Sequence, residues 1–213
     1  MMIHAYQEIH LNKVKKMLGE AFDHAINTCG INGELFLKMF AVSVFAKQVE
    51  KGDPSIISGI SGIELATKII EDSGKNSTEY ILSESYEKSC EYWIGWACAH
   101  YQWVSGRNFA DIFEAMSYNF LKDLYFPLHE ADISKFVEIA EKRVKDFFPE
   151  TKLKLYRSLN ELSQSELANL SGVSLRSIQM YEQRNKDINK ASAESLLKLS
   201  RALNCEMEDL IEY

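Results

Sequence analysis

Residues 162–184 read LSQSELANLSGVSLRSIQMYEQR. Ser163 is a residue type that caps a helix start, which leaves the first amides and the Gln164 side chain facing outward. Ala168 is small, as it must be where a second helix crosses closely. Gly172 supplies a turn conformation that a side chain resists. Placed at intervals of about 100°, residues 175–184 put Ile178 at the centre of one face, and Val173 and Tyr181 also turn inward. Arg176, Gln179, Met180 and Gln183 fall opposite, and Leu175 lies between the two faces. The stretch predicts two short helices joined by a tight turn, the second presenting a polar face with no apolar partner.

Working outward, residues 152–213 divide into KLKLYRSLNE, LSQSELANLSG, VSLRSIQMYEQ, ASAESLLKLSRALN and CEMEDLIEY, five short helical segments with a polar loop, RNKDINK, after the third. Together they resemble the lambda-repressor-like (Cro/CI, XRE-type) helix-turn-helix domain over about 60 residues. Arg157, Leu162, Ser163, Gln164, Leu167, Ala168, Gly172, Val173, Ser174, Ile178 and Glu182 all stand where that pattern expects them. Arg184 replaces a frequent glycine, the usual loop proline is absent, and Asn204 takes a glycine place that its tolerance of left-handed geometry permits.

The resemblance implies sequence-specific binding of double-stranded DNA, with the third helix in the major groove. Arginine can bond two acceptors of guanine, glutamine suits adenine, and methionine can touch a thymine methyl. The expected DNA-binding set is Gln164, Ser174, Leu175, Arg176, Ser177, Gln179, Met180, Gln183, Arg184 and Lys186, with Asn189 and Lys190 in reach of phosphate. Arg157 and Glu182 are expected to pair, orienting helices without reading a base.

The net charge of −7 sits oddly with a polyphosphate partner. Its distribution removes the conflict. Residues 1–150 hold 15 Lys+Arg against 22 Asp+Glu, whereas residues 151–213 hold 9 of each. Residues 176–201 carry Arg176, Arg184, Lys186, Lys190, Lys198 and Arg201 against Glu182, Asp187 and Glu194. Charges beyond roughly 8 to 10 Å are largely screened at cellular salt, so the local excess governs phosphate contact. So small an excess suits one half-site, with a second copy on the next.

The preceding part also reads as helix throughout, which makes the whole chain all-α: a helical bundle over 1–150, then the five-helix module over 151–213, with the boundary in FFPETK. Val14, Leu18, Ala21, Phe22 and Ala25 form one apolar stripe; Leu37, Phe40, Ala41 and Val44 a second; Phe136, Ile139, Ala140, Val144 and Phe147 a third. Gly30 and Gly33 break helices, Asp53-Pro54 starts one, Ser61 to Glu64 fits a capping box, Gly106 and Asn108 end one helix and cap the next, and Pro149 ends the last. Glu84, Glu87, Lys88 and Glu91 read as a solvated face. Trp93, Trp96, His100 and Trp103 share a helix face that suits an aromatic core or a protein-binding surface better than a ligand pocket.

Catalytic, metal and cofactor roles find no support. His4, His10, His24, His100 and His129 stand alone, and Cys29, Cys90, Cys98 and Cys205 are scattered without ligand spacing, as reduced and mostly buried thiols would be. The most apolar run, residues 92–104, is too short for a bilayer and holds His100 and Gln102, and the start lacks a signal core, so a cytoplasmic protein is expected. The reading that follows is a transcriptional repressor, dimeric on a palindromic operator, whose first domain dimerises, senses or binds a partner. The alternative is an antitoxin-like protein whose first domain neutralises a protein encoded nearby while the second autoregulates the operon.

Overall fold

The structure, a computed structural model, describes residues 5–74, 89–148, 150–183 and 186–212. His4, Glu84, Glu87, Lys88 and Pro149, named above, lie outside them. The described residues hold no strand: the fold is all-α. By its internal contacts the chain divides into two compact units, Met1–Phe147 and Phe148–Tyr213.

The first unit runs from a 3-10 turn (Glu8–His10) through α1 (Leu11–Asp23), a π turn (His24–Thr28), α2 (Gly33–Val42), α3 (Val44–Glu50), α4 (Pro54–Ile57), α5 (Gly62–Asp72), α6 (Cys90–Ser105), α7 (Phe109–Ala115), α8 (Tyr118–Asp123) and α9 (Tyr125–Leu128) to α10 (Ile133–Phe147). The central pair is α1 with α6. Their backbones nearly touch: a Cβ on Gly95 would lie 2.3 Å from the Leu18 carbonyl oxygen, and one on Gly62 of α5 would lie 2.4 Å from that of Met17. The α1 stripe is buried throughout, and Phe22 meets Phe36 and Phe40 edge-on at 5.2 and 5.9 Å.

The helix starts follow the capping chemistry. Asp53 accepts the Ser55 N–H with Pro54 in the first turn, and Asn108 accepts that of Asp111. The starts of α8 and α7 also use carboxylates from distant helices: Glu34 accepts the Tyr118 N–H at 2.8 Å and Glu50 that of Phe109 at 2.6 Å. Ser61 accepts the Glu64 N–H, while the Glu64 carboxylate lies 2.9 Å from Lys68.

Several expectations need correction. Gly33 opens α2 instead of ending a helix, since Asn32 caps it and the Tyr118 ring lies where a Cβ would stand. Val44 is 63% exposed because Ser43, extended at ψ 155°, splits the second stripe into two helices with different facings. Ile139 and Phe147 are exposed, leaving Phe136, Ala140 and Val144 as the buried seam of α10. Glu91 is not on a solvated face. It is buried, accepts hydrogen bonds from Asn27 (3.0 Å) and the Tyr118 hydroxyl (2.7 Å), and is held below the usual carboxylate range because these bonds outweigh the upward push of burial. All four cysteines are free thiols, but only Cys98 is fully buried.

The second unit comprises α11 (Lys152–Leu159), α12 (Gln164–Ser171), α13 (Leu175–Glu182), a 3-10 turn (Ile188–Lys190), α14 (Ala193–Leu203) and a last 3-10 turn (Glu208–Leu210). Its core gathers Leu153, Leu167, Val173, Ile178, Tyr181, Ile188, Leu196, Leu199, Leu203 and Leu210. Asn204, in the left-handed region at φ +53°, closes α14. The fifth segment is a single 3-10 turn, after which the chain becomes extended at Ile211.

Candidate nucleic-acid interface

The α12–α13 corner is built from short-range hydrogen bonds. The Ser163 hydroxyl accepts the Glu166 N–H at 3.2 Å, and the Glu166 carboxylate accepts the Ser163 N–H at 2.8 Å. These bonds also hold the Glu166 carboxyl below its ordinary range. Gly172 ends α12 at φ +67°. The Ser171 hydroxyl, bonded to the Leu167 carbonyl, accepts the Val173 N–H at 3.2 Å and so carries the chain into the turn. Ser174 caps α13 by accepting the Ser177 N–H, and its hydroxyl donates to that of Ser177 at 2.9 Å. One such cap is worth roughly 1 kcal/mol.

Ile178 and Tyr181 root α13 in the core. Opposite them, Arg176 and Gln183 are exposed, Gln179 and Met180 are half-buried, and Leu175 is 38% exposed at the margin. Among the described residues nothing pairs with the Arg176 guanidinium. The outward face thus carries a cation, two amides and a thioether on a helix held from behind. Such a set can donate to, accept from and touch base edges.

Behind this face sits a partly buried polar knot. Arg157 donates from Nε to Glu182 Oε1 at 2.6 Å and from Nη2 to Oε2 at 2.9 Å, and its Nη1 donates to the Leu162 carbonyl at 2.7 Å. The hydrogen bonds that Arg157 donates to Glu182 raise its pKa further, against the effect of burial. Gln164 joins the knot: its amide donates to Glu182 Oε2 at 2.8 Å. Sequence reasoning set Gln164 toward a phosphate and missed this tie. The amide keeps its second hydrogen for an outside partner.

Beyond α13, the Lys186 N–H donates to the Met180 carbonyl at 3.1 Å, and its ammonium stands 5.1 Å over the Tyr181 ring. Arg184 lies outside the described residues. Lys190 is exposed, 3.3 Å from Asp187. The Asn189 amide is bonded to the Glu212 backbone, a tie that sequence reasoning missed. No local sequence signal marks that pairing.

In the first unit, Trp93, Trp96, His100 and Trp103 lie along α6 and differ in burial, and the His100 ring stands 6.4 Å from that of Trp96 and 6.0 Å from that of Trp103. Trp93 and Trp103 are each 7% exposed: Trp93 packs edge-on against Tyr125 and Phe136, and Trp103 Nε1 donates to the Tyr6 carbonyl at 2.8 Å. Trp96 and His100 are half-buried and stacked at 6.4 Å, with the Lys15 ammonium 4.3 Å from the Trp96 ring. Among the described residues no cluster of three or more His, Cys, Asp or Glu is placed to hold a metal ion, and no helix is long and apolar enough to cross a membrane.

Comparison with known families matches residues 153–210 to the Helix-turn-helix family. No curated protein and no solved structure matches the chain. The capped α12, the glycine turn and the rooted α13 with its polar outer face are the geometry of that motif, so the second unit is a helix-turn-helix domain of the XRE, lambda-repressor-like family, and the chain carrying it is a DNA-binding transcription regulator of this type.

Proposed function

We propose that this regulator is a repressor that binds a palindromic operator as a homodimer, each copy laying α13 in the major groove of one half-site. Arg176, Gln179, Met180 and Gln183 read base edges, with Leu175 at the margin, and Gln164, Ser174, Ser177, Arg184 and Lys186 approach the sugar-phosphate rails. The observation that carries this is the exposed Arg176 on a helix whose opposite side, Ile178 and Tyr181, is sealed into the core. Two copies supply what one lacks in positive charge, and the acidic first part weakens binding to unspecific DNA more than to the operator. Residues 1–150 serve as the dimerising, sensing or partner-binding part.

Footprinting on the DNA upstream of the chain's own gene tests the reading. The wild type is expected to protect a two-fold symmetric site, and Arg176→Ala and Gln179→Ala each to weaken it by roughly 1 to 3 kcal/mol. Equal affinity for random and upstream duplex sinks the proposal.

A second reading gains support from the first unit: Phe126 is 82% exposed, Val42 80%, and residues 1–150 carry the entire net negative charge. An acidic unit with exposed apolar side chains suits an antitoxin-like protein that neutralises a basic partner encoded beside it. Co-purification of the neighbouring gene's product with the full chain favours this reading over small-molecule sensing.

A further inference from the structure

The turn that follows the reading helix is clasped by a segment distant in sequence. Asn189 uses both ends of its amide on one residue: its Oδ1 accepts the Glu212 N–H at 2.8 Å, and its Nδ2 donates to the Glu212 carbonyl. The Glu212 carboxylate in turn accepts the N–H of Lys152, the first residue of α11. Asp187 caps the turn by accepting the Asn189 N–H at 3.0 Å, and Ile188 sinks into the core. Leu210, fully buried, anchors the segment that supplies the clasp. Lys190 closes the turn with its side chain 83% exposed.

The bonds of this clasp are solvent-exposed, where water competes for the same groups and the net gain in folding free energy is small. What they gain is geometry. A turn rooted at Ile188, capped by Asp187 and tied at two points to Glu212 presents its lysine at a set distance from α13. A phosphate contact made from a pre-ordered turn avoids the cost of ordering it on binding.

We propose that Asn189 is a positioning residue for DNA binding, its clasp on Glu212 holding the 187–190 turn so that Lys190 meets the phosphate backbone beside the half-site read by α13. This rests on the DNA-reading assignment above and adds to it a residue that touches no DNA.

The test is fluorescence anisotropy of the full chain across a salt series, with a labelled duplex enriched from a random pool by the wild type. Asn189→Ala and Lys190→Ala are each expected to weaken binding roughly 3- to 10-fold and to lower the salt slope by about one counterion. The double variant is expected to lose no more than Lys190→Ala alone, because the clasp acts through that lysine. The preference for enriched over scrambled duplex stays as in the wild type. Additive losses, an unchanged salt slope, or a lowered melting temperature with unaltered affinity overturn the inference while leaving the DNA reading intact. A wild type that enriches no duplex overturns both.

Discussion

Arg157 and Glu182 meet face to face across the second unit, two guanidinium nitrogens on two carboxylate oxygens at 2.6 and 2.9 Å, with the Glu182 side chain only 3% exposed. A parallel pair of this kind fixes orientation as well as distance, so α11 and the end of α13 keep one mutual angle. Removing one partner strands the other. Glu182→Ala is expected to lower unfolding stability by about 3 kcal/mol or more, read from urea denaturation, because Arg157 is left charged without its partner. A loss below about 1 kcal/mol means the pair is replaceable by water.

Gly172 turns the chain at φ +67° in open space: a Cβ there meets nothing within 4 Å. The cost of a side chain is therefore backbone strain alone. Gly172→Ala is expected to cost about 1 to 2 kcal/mol, and Gly172→Asn less, since asparagine adopts this conformation more readily. Equal melting temperatures for the two variants contradict the argument.

The proposed function assigns Lys186 and Arg176 to different classes of contact, one to phosphate and the other to a base edge. Lys186→Ala is expected to weaken binding to every duplex alike and to lower the salt slope by about one, whereas Arg176→Ala relaxes the preference at one base position. A selection experiment with both variants separates them; a changed base preference with Lys186→Ala contradicts the assignment.

Glu50 accepts the Phe109 N–H from within the first unit, and burial raises its carboxyl above the ordinary range, against the lowering by that hydrogen bond and with a further push from Asp111. A carboxyl raised on folding is stabilised in its protonated form, so ionisation near neutral pH lowers stability and acidification toward its ordinary value restores it. Glu50→Gln, which can still accept the N–H but cannot ionise, is expected to melt above the wild type at pH 7 and to converge with it as the pH falls toward 4. A gap that widens on acidification reverses the sign and refutes this.

The legible part of the molecule was the part governed by local rules. Ser163, Gly172 and Ile178 each act within a turn or two of the chain, and helical angle alone separates Arg176 from Tyr181. What the sequence hid depends on residues far apart. The facing of Gln164 follows its angle, but its bond to Glu182 follows from how two helices cross. The Asn189 clasp has no periodic signature. The tryptophans of α6 share a stripe, yet α6 packs against α1, α7, α8, α9 and α10, so how deeply each ring of that stripe is buried depends on elements far away in sequence. Val44 misled because a single extended serine resets the phase of the repeat.

The near-contact of α1 and α6 at Gly95 has a mechanical consequence. Side chains between helices act as springs, since rotamers give way before backbones do. Where the Leu18 carbonyl would sit 2.3 Å from an added carbon, no spring is present, and a slide of one helix must drag the other. At this seam α1 and α6 therefore move as one body, with no side chain between them to take up a displacement.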